Sequence, residues 1–276
     1  MRKFWLGVLA IVTLSTLAGG KYHWDQRVSA VQVKGHTEKV SGYRTGMNME
    51  EKKEEDEEKV AAEEVKNRLV KLDKLNYLPP ELKETFKKKI EGDEPVHLML
   101  LGSSSTSGKE GAWPKELEKA LLDRYGHDLI KVTLKEIAEK TSQQVVKEEL
   151  HKPLADMKPD ILLLEPFLLN DNGEIRMSNR INNLETILGD FKKQNPEITF
   201  IIQPANPIAG AYYYPQEETD LEKHSRGEKY VYLNHWDAWP DYNSKELKDY
   251  LTEENIPNEK GNKVWLDYLM KYFIRG

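Results

Sequence analysis

A serine on a tight, glycine-bounded turn between a buried strand and a helix is placed to act as a nucleophile. The run Gly102-Ser103-Ser104-Ser105-Thr106-Ser107-Gly108 has that setting. Its hydroxyls are exposed by the turn, and its backbone N–H groups lie where an oxyanion would form. The same residue types also cap helices, so the run by itself fits either role. A second segment, Glu165-Pro166-Phe167-Leu168-Leu169-Asn170-Asp171-Asn172-Gly173, brings a carboxamide to another strand end. Such an amide can donate to the same oxyanion, or it can simply close an Asx turn. Tyr212-Tyr213-Tyr214-Pro215, with Trp236 and Trp239, supplies aromatic surface that either stacks on sugar rings or caps the core. No cofactor or metal is called for. The chain has no cysteine, and His23, His36, His97, His127, His151 and His224 lack ligand-like spacing.

The elements that must hold these loops can be read from the apolar pattern. Val96 to Leu101 is a continuous apolar run closed by Gly102, as a buried parallel strand requires. Leu129 to Leu134, Ile161 to Leu164 and Ile198 to Gln203 repeat the pattern. The helical segments between and after them are Trp113 to Tyr125, Thr141 to Leu150, Ile181 to Gln194 and Glu259 to Phe273. Alternation of this kind predicts an α/β fold, a three-layer α/β/α sandwich around a parallel sheet. Its site should lie at the C-terminal strand ends, in the loops after Leu101, Leu134 and Leu164.

Taken together, these loops resemble the SGNH hydrolases, the family of GDSL-type esterases and lipases. The family's Gly-Asp-Ser-x-Thr block lies over Gly102 to Thr106, which makes Ser104 the implied nucleophile and puts Ser103 at the Asp position. The Gly-x-Asn-Asp block lies over Leu168 to Asp171, which makes Asn170 the implied oxyanion donor. The second-block glycine falls on Glu139 or Lys140, where any residue but proline still supplies a backbone N–H. Near the C-terminus, Asp-x-x-His-Pro-Asn-x-x-Gly lies over Glu253 to Gly261. Pro257, Asn258 and Gly261 match, Glu253 stands for Asp, and Ile256 stands for the catalytic His. Ile256 cannot accept the Ser104 proton, and an unactivated hydroxyl is a poor nucleophile. His235, Glu253 and Glu254 are the candidate substitutes, although lone histidines are usually structural and surface carboxylates usually solvated. The resemblance spans about 180 residues, Val96 to Phe273. It implies ester hydrolysis or acyl transfer on an ester-bearing small molecule or a glycan such as an O-acylated cell-wall polymer. A catalytically inactive relative that binds a cell-envelope glycan or protein is the competing expectation.

The N-terminus bears on location. Arg2 and Lys3 precede an uncharged stretch of 17 residues, Phe4 to Gly20, which reads as an export signal or membrane anchor with the rest of the chain outside the cytoplasm. Residues 21–92 are expected to form a linker and charged helical stalk, with Ala61, Val65, Leu69 and Leu72 as a narrow apolar stripe on a helix from Glu50 to Leu75. Residues 93–276 are expected to form the hydrolase-like domain. The net charge of -6 argues against nucleic acid as a partner. Residues 50–68 alone hold nine acidic and five basic side chains.

Overall fold

The structure, a computed structural model, describes residues 43–275. The stretch expected to enter a membrane, Phe4 to Gly20, lies outside them. Among the described residues no helix is long and apolar enough to cross a bilayer.

Five parallel strands form one sheet in the order β2-β1-β3-β4-β5. They are β1 (Val96–Gly102), β2 (Ile130–Glu136), β3 (Ile161–Leu164), β4 (Thr199–Ile202) and β5 (Val231–Tyr232). Leu101 pairs with Leu164, and Leu164 with Ile202, so the strand ends are aligned. Because successive side chains face opposite ways, each strand feeds two cores. Leu98, Leu100, Ile161 and Leu163 pack with Trp113, Leu117, Trp265 and Leu269 on one face. Met99, Leu101, Leu162 and Leu164 pack with Val145, Leu184, Leu188 and Phe191 on the other. This is the expected three-layer sandwich.

The helices are α1 (Tyr43–Asp73), α2 (Pro80–Glu91), α3 (Trp113–Tyr125), α4 (Ser142–Lys147), α5 (Lys152–Ala155), α6 (Leu168–Asp171), α7 (Met177–Gln194), α8 (Tyr214–Gly227) and α9 (Glu259–Met270). Helix α1 starts seven residues before the expected Glu50. Glu63–Gly276 forms one compact unit. This unit begins well before the expected boundary at residue 92. The reason is apolar packing: Leu75, Leu78, Leu82, Phe86 and Ile90 are buried in the same cluster as Trp113 and Trp265. Of the predicted α1 stripe, Val65 and Leu69 are exposed, and Leu72 packs on the core.

Helices α5, α6 and α8 and strand β5 escape the sequence pattern. Helix α8 buries Tyr214, Glu218, Leu221 and Ser225, a helical spacing in which two of four inward positions are polar. Strand β5 is two residues long.

Candidate active site

In the sheet order β2-β1-β3 the crevice falls beside the C-terminal end of β1, where the chain reverses its direction of winding. Gly102 ends β1 there because nothing larger fits. A Cβ at this position would collide with Thr106 Oγ1 and with the Cβ and Oε2 of Glu165. The chain then turns through a short 3-10 segment, Ser104–Thr106, capped by the Ser103 hydroxyl. Ser103 and Ser105 are buried, whereas Ser104 is half-buried. Ser104 lines a cavity of about 700 Å³ together with Glu254, Ile256 and Asn262.

Three buried polar side chains fasten the loops around this turn. Glu165 is the first. Its Oε2 accepts from the Ser103 backbone N–H at 2.7 Å and from the Ser103 hydroxyl at 2.5 Å, while Oε1 accepts from the Phe167 N–H at 3.0 Å. One carboxyl thus joins the Ser104 turn to the segment that leads to Asn170, and it holds Phe167 in a left-handed conformation with φ 62°. Burial pushes the Glu165 carboxyl up, against the hydrogen bonds from Ser103, which favour its charged form. A carboxyl directly after β3 thus reaches the turn that carries Ser103.

Asp171 is the second fastener. It accepts from the Ser142 N–H at 2.7 Å and the Ser142 hydroxyl at 2.5 Å, which ties the loop before α4 to α6. Burial raises its carboxyl as well, again opposed by the Ser142 bonds. The third is Asn206, fully buried after β4. Its Oδ1 accepts from the Ser105 hydroxyl at 2.9 Å, and its Nδ2 donates to the Asn255 carbonyl at 2.9 Å. The loop carrying Ile256 is thereby bolted to the loop carrying Ser104. Aromatic packing adds to this: Trp113 donates its indole N–H to the Ser105 carbonyl at 2.8 Å and stacks on Trp265 at 4.7 Å.

Of the residues singled out in the sequence, Ser104, Glu254 and Ile256 share one cavity. Neither the Ser104 N–H nor the Asn170 carboxamide, half-buried in α6, donates a hydrogen bond to any described residue. Asn170 is absent from the lining of the Ser104 cavity, and Glu253 is exposed outside it. Asn258 and Gly261 have structural duties. The Asn258 side chain caps α9 by accepting from the N–H groups of Lys260 and Gly261, and a Cβ on Gly261 would strike the Tyr250 carbonyl. Among the described residues no three His, Asp or Glu side chains converge on a metal-sized site.

His235 must be struck from the candidate bases. It is 0% exposed, its ring stacks on Trp265 at 3.9 Å, and both nitrogens are engaged. Nε2 donates to the Pro204 carbonyl at 2.9 Å, and Nδ1 accepts from the Trp239 indole at 3.0 Å. Burial lowers its pKa to about 3, with the Pro204 bond opposing. A ring with no free lone pair takes no proton from Ser104.

The signals for Glu165, Asp171 and Asn206 were faint. Each is one polar residue after an apolar strand or in a turn, and its meaning comes from a partner 29 to 101 positions away. Glu165→Ala is expected to strand two N–H groups and a hydroxyl in a dry site and to cost about 3 kcal/mol. Glu165→Gln should cost less, since it keeps one acceptor. Urea midpoints for the two variants check this, and equal losses would show that acceptor geometry is unimportant.

No protein-family model and no curated protein sequence matches the chain. Solved structures do. A G-D-S-L family lipolytic protein from Desulfitobacterium hafniense superposes with a TM-score of 0.53 at 18% identity, covering 64% of this chain and 99% of that one. The chain has the fold of the SGNH hydrolases. A carbohydrate esterase family 3 protein from Talaromyces cellulolyticus gives 0.54 at 15% identity, covering 63% and 94%. An acetyl xylan esterase gives 0.52 at 14% identity, covering 65% and 100%. At such identities the likeness concerns the SGNH fold and leaves the chemistry to the residues.

Proposed function

We propose that the chain is an SGNH-type ester hydrolase or acyl esterase that uses Ser104 as nucleophile. The observation that carries this reading is the half-buried Ser104 on a fastened turn that opens into the cavity at the end of β1. In the proposed reaction Ser104 Oγ attacks the acyl carbonyl and the C–O bond to the alcohol breaks. The acyl group passes to Ser104 and is then released by water. The Ser104 N–H, which donates to no described residue, stabilises the oxyanion, and the Asn170 amide, outside the cavity lining, is left without that role. With His235 locked and Ile256 apolar, the proton goes to a cavity carboxylate. Glu254 has the strongest case, since Asn206 ties its loop to Ser105. A carboxylate is a weaker base than imidazole, so turnover should be slow. The acetyl xylan esterase and carbohydrate esterase neighbours support an O-acylated glycan as substrate. In this reading Phe4 to Gly20 directs the domain out of the cytoplasm and tethers it to the membrane, facing the cell wall.

Ile256 favours a second reading, in which the cavity binds an envelope glycan or protein without cleaving it. Hydrolysis of 4-nitrophenyl acetate by the full chain in mild detergent separates the two. Slow turnover, falling about tenfold to background in Ser104→Ala, is expected. Equal rates in the two proteins, with no labelling of Ser104 by a fluorophosphonate, would leave the binding reading.

A further inference from the structure

A second cavity, of about 360 Å³, lies among the loops after β4 and β5 and is lined by Trp236, Trp239, Tyr242, Glu218, Asp237 and Asp241. Its chemistry is one-sided. Three aromatic residues, three acidic residues and Asn234 line it, and no Lys, Arg or His is in its lining. Both indole N–H groups are spent inside the protein, Trp236 on the Ala205 carbonyl at 2.7 Å and Trp239 on His235 at 3.0 Å. What the indoles offer the cavity is therefore π surface. The rings of Trp236 and Tyr242 stand 6.5 Å apart and 54° to one another, as two walls of a corner. Glu218 is only 6% exposed. Its Oε1 accepts from the Tyr232 hydroxyl at 2.8 Å, while Oε2 accepts from no described residue.

The geometry points to a binding site for a ligand that presents a protonated amine or a quaternary ammonium group. Aromatic faces attract cations through the ring quadrupole, and nearby carboxylates add charge. A neutral sugar would need donors to match its acceptors; the lining offers the Asn234 carboxamide and the Tyr242 hydroxyl, whereas the three carboxyl groups favour a cation over a neutral ligand. Burial, together with charges on Glu222 and Asp237, pushes the Glu218 carboxyl up against the pull of the Tyr232 bond; a bound cation would relieve that repulsion. The site is distinct from the Ser104 cavity and does not depend on ester hydrolysis there.

Calorimetric titration of the full chain at matched ionic strength, with tetramethylammonium chloride, glucosamine, glucose and N-acetylglucosamine, tests this. Both cations are expected to bind about tenfold or more tightly than either neutral sugar. Asp237→Asn, at an exposed side chain, should weaken both cations about tenfold without lowering the melting temperature, and Trp236→Leu should do the same if it folds. Ser104→Ala should bind as the wild type does. Tetramethylammonium and glucosamine in place together identify the charge as the recognised group; glucosamine alone would make the ligand an amino sugar. Binding of neither cation, equal binding of the neutral sugars, or an unchanged affinity in folded Asp237→Asn would overturn the proposal.

Discussion

Ile256→His is expected to raise the rate of acetyl-ester hydrolysis by about 10²-fold, the lower end of what general-base assistance provides. Ile256 lines the same cavity as Ser104, so an imidazole placed there enters the right compartment. Its backbone is also well held. The Ile256 carbonyl accepts from Thr252 N–H at 2.8 Å, Leu251 bridges to Pro257, and Asn206 ties the neighbouring Asn255 to Ser105. The weak point is the third member. Glu253 is exposed outside the cavity, so it does not orient the new ring, and this caps the gain. Glu253→Asp alone should do nothing, whereas Glu254→Gln in the Ile256→His background should leave the gained rate intact, because imidazole then replaces the carboxylate as base. The measurement is kcat on 4-nitrophenyl acetate with and without Ser104→Ala. If a folded Ile256→His protein is no faster than wild type, the cavity is not built for acyl transfer by this serine.

The parts of the fold that were legible share one property: an apolar run with a single meaning. Ile161 to Leu164 is fully apolar and short, and the strand ends where the run ends. Trp113 to Tyr125 carries an apolar stripe at helical spacing and is observed with those bounds. Helix α8 was hidden because its inward positions include Glu218 and Ser225, polar residues whose burial depends on Tyr232 and on the Leu221 carbonyl. The aromatic segment was half legible. Tyr214 and Trp239 are buried and cap the core, while Tyr212 and Tyr213 are 85% and 72% exposed. At the candidate site, Ser104 could be read from its turn, but Ser103 looked like a plain loss of the family's Asp. Its hydroxyl in fact donates to Glu165, and no local spacing reveals a carboxyl 62 positions away. His235 is ambiguous for the opposite reason: a histidine just ahead of two tryptophans suits a cleft and a core equally, and only its hydrogen-bond partners decide.

Those partners also give His235 a measurable effect on folding. In the unfolded chain it takes up a proton near pH 6.5, but in the folded protein it does so only near pH 3, because burial disfavours the charged ring. Between these limits the unfolded state binds one more proton than the native state, so stability rises with pH across the window and is flat above it. On acidification below about pH 6.5 this one residue should therefore remove roughly 1.4 kcal/mol per pH unit. Over the whole window that is on the order of 5 kcal/mol. Glu165, Asp171 and Glu218 act in the other direction, since their raised carboxyls favour the folded state toward low pH. A comparison with His235→Gln isolates the histidine, because both proteins carry the same carboxyls. Glutamine can still accept from the Trp239 indole and donate to the Pro204 carbonyl, but it does not titrate. The variant should be less stable than wild type at pH 7, where the stacking on Trp265 is lost, and the gap should close as the pH falls toward 4. Urea unfolding followed at each pH supplies the two curves. If they run parallel from pH 7 to pH 4, His235 is not held neutral in the folded protein, and its exclusion as a proton acceptor fails with it.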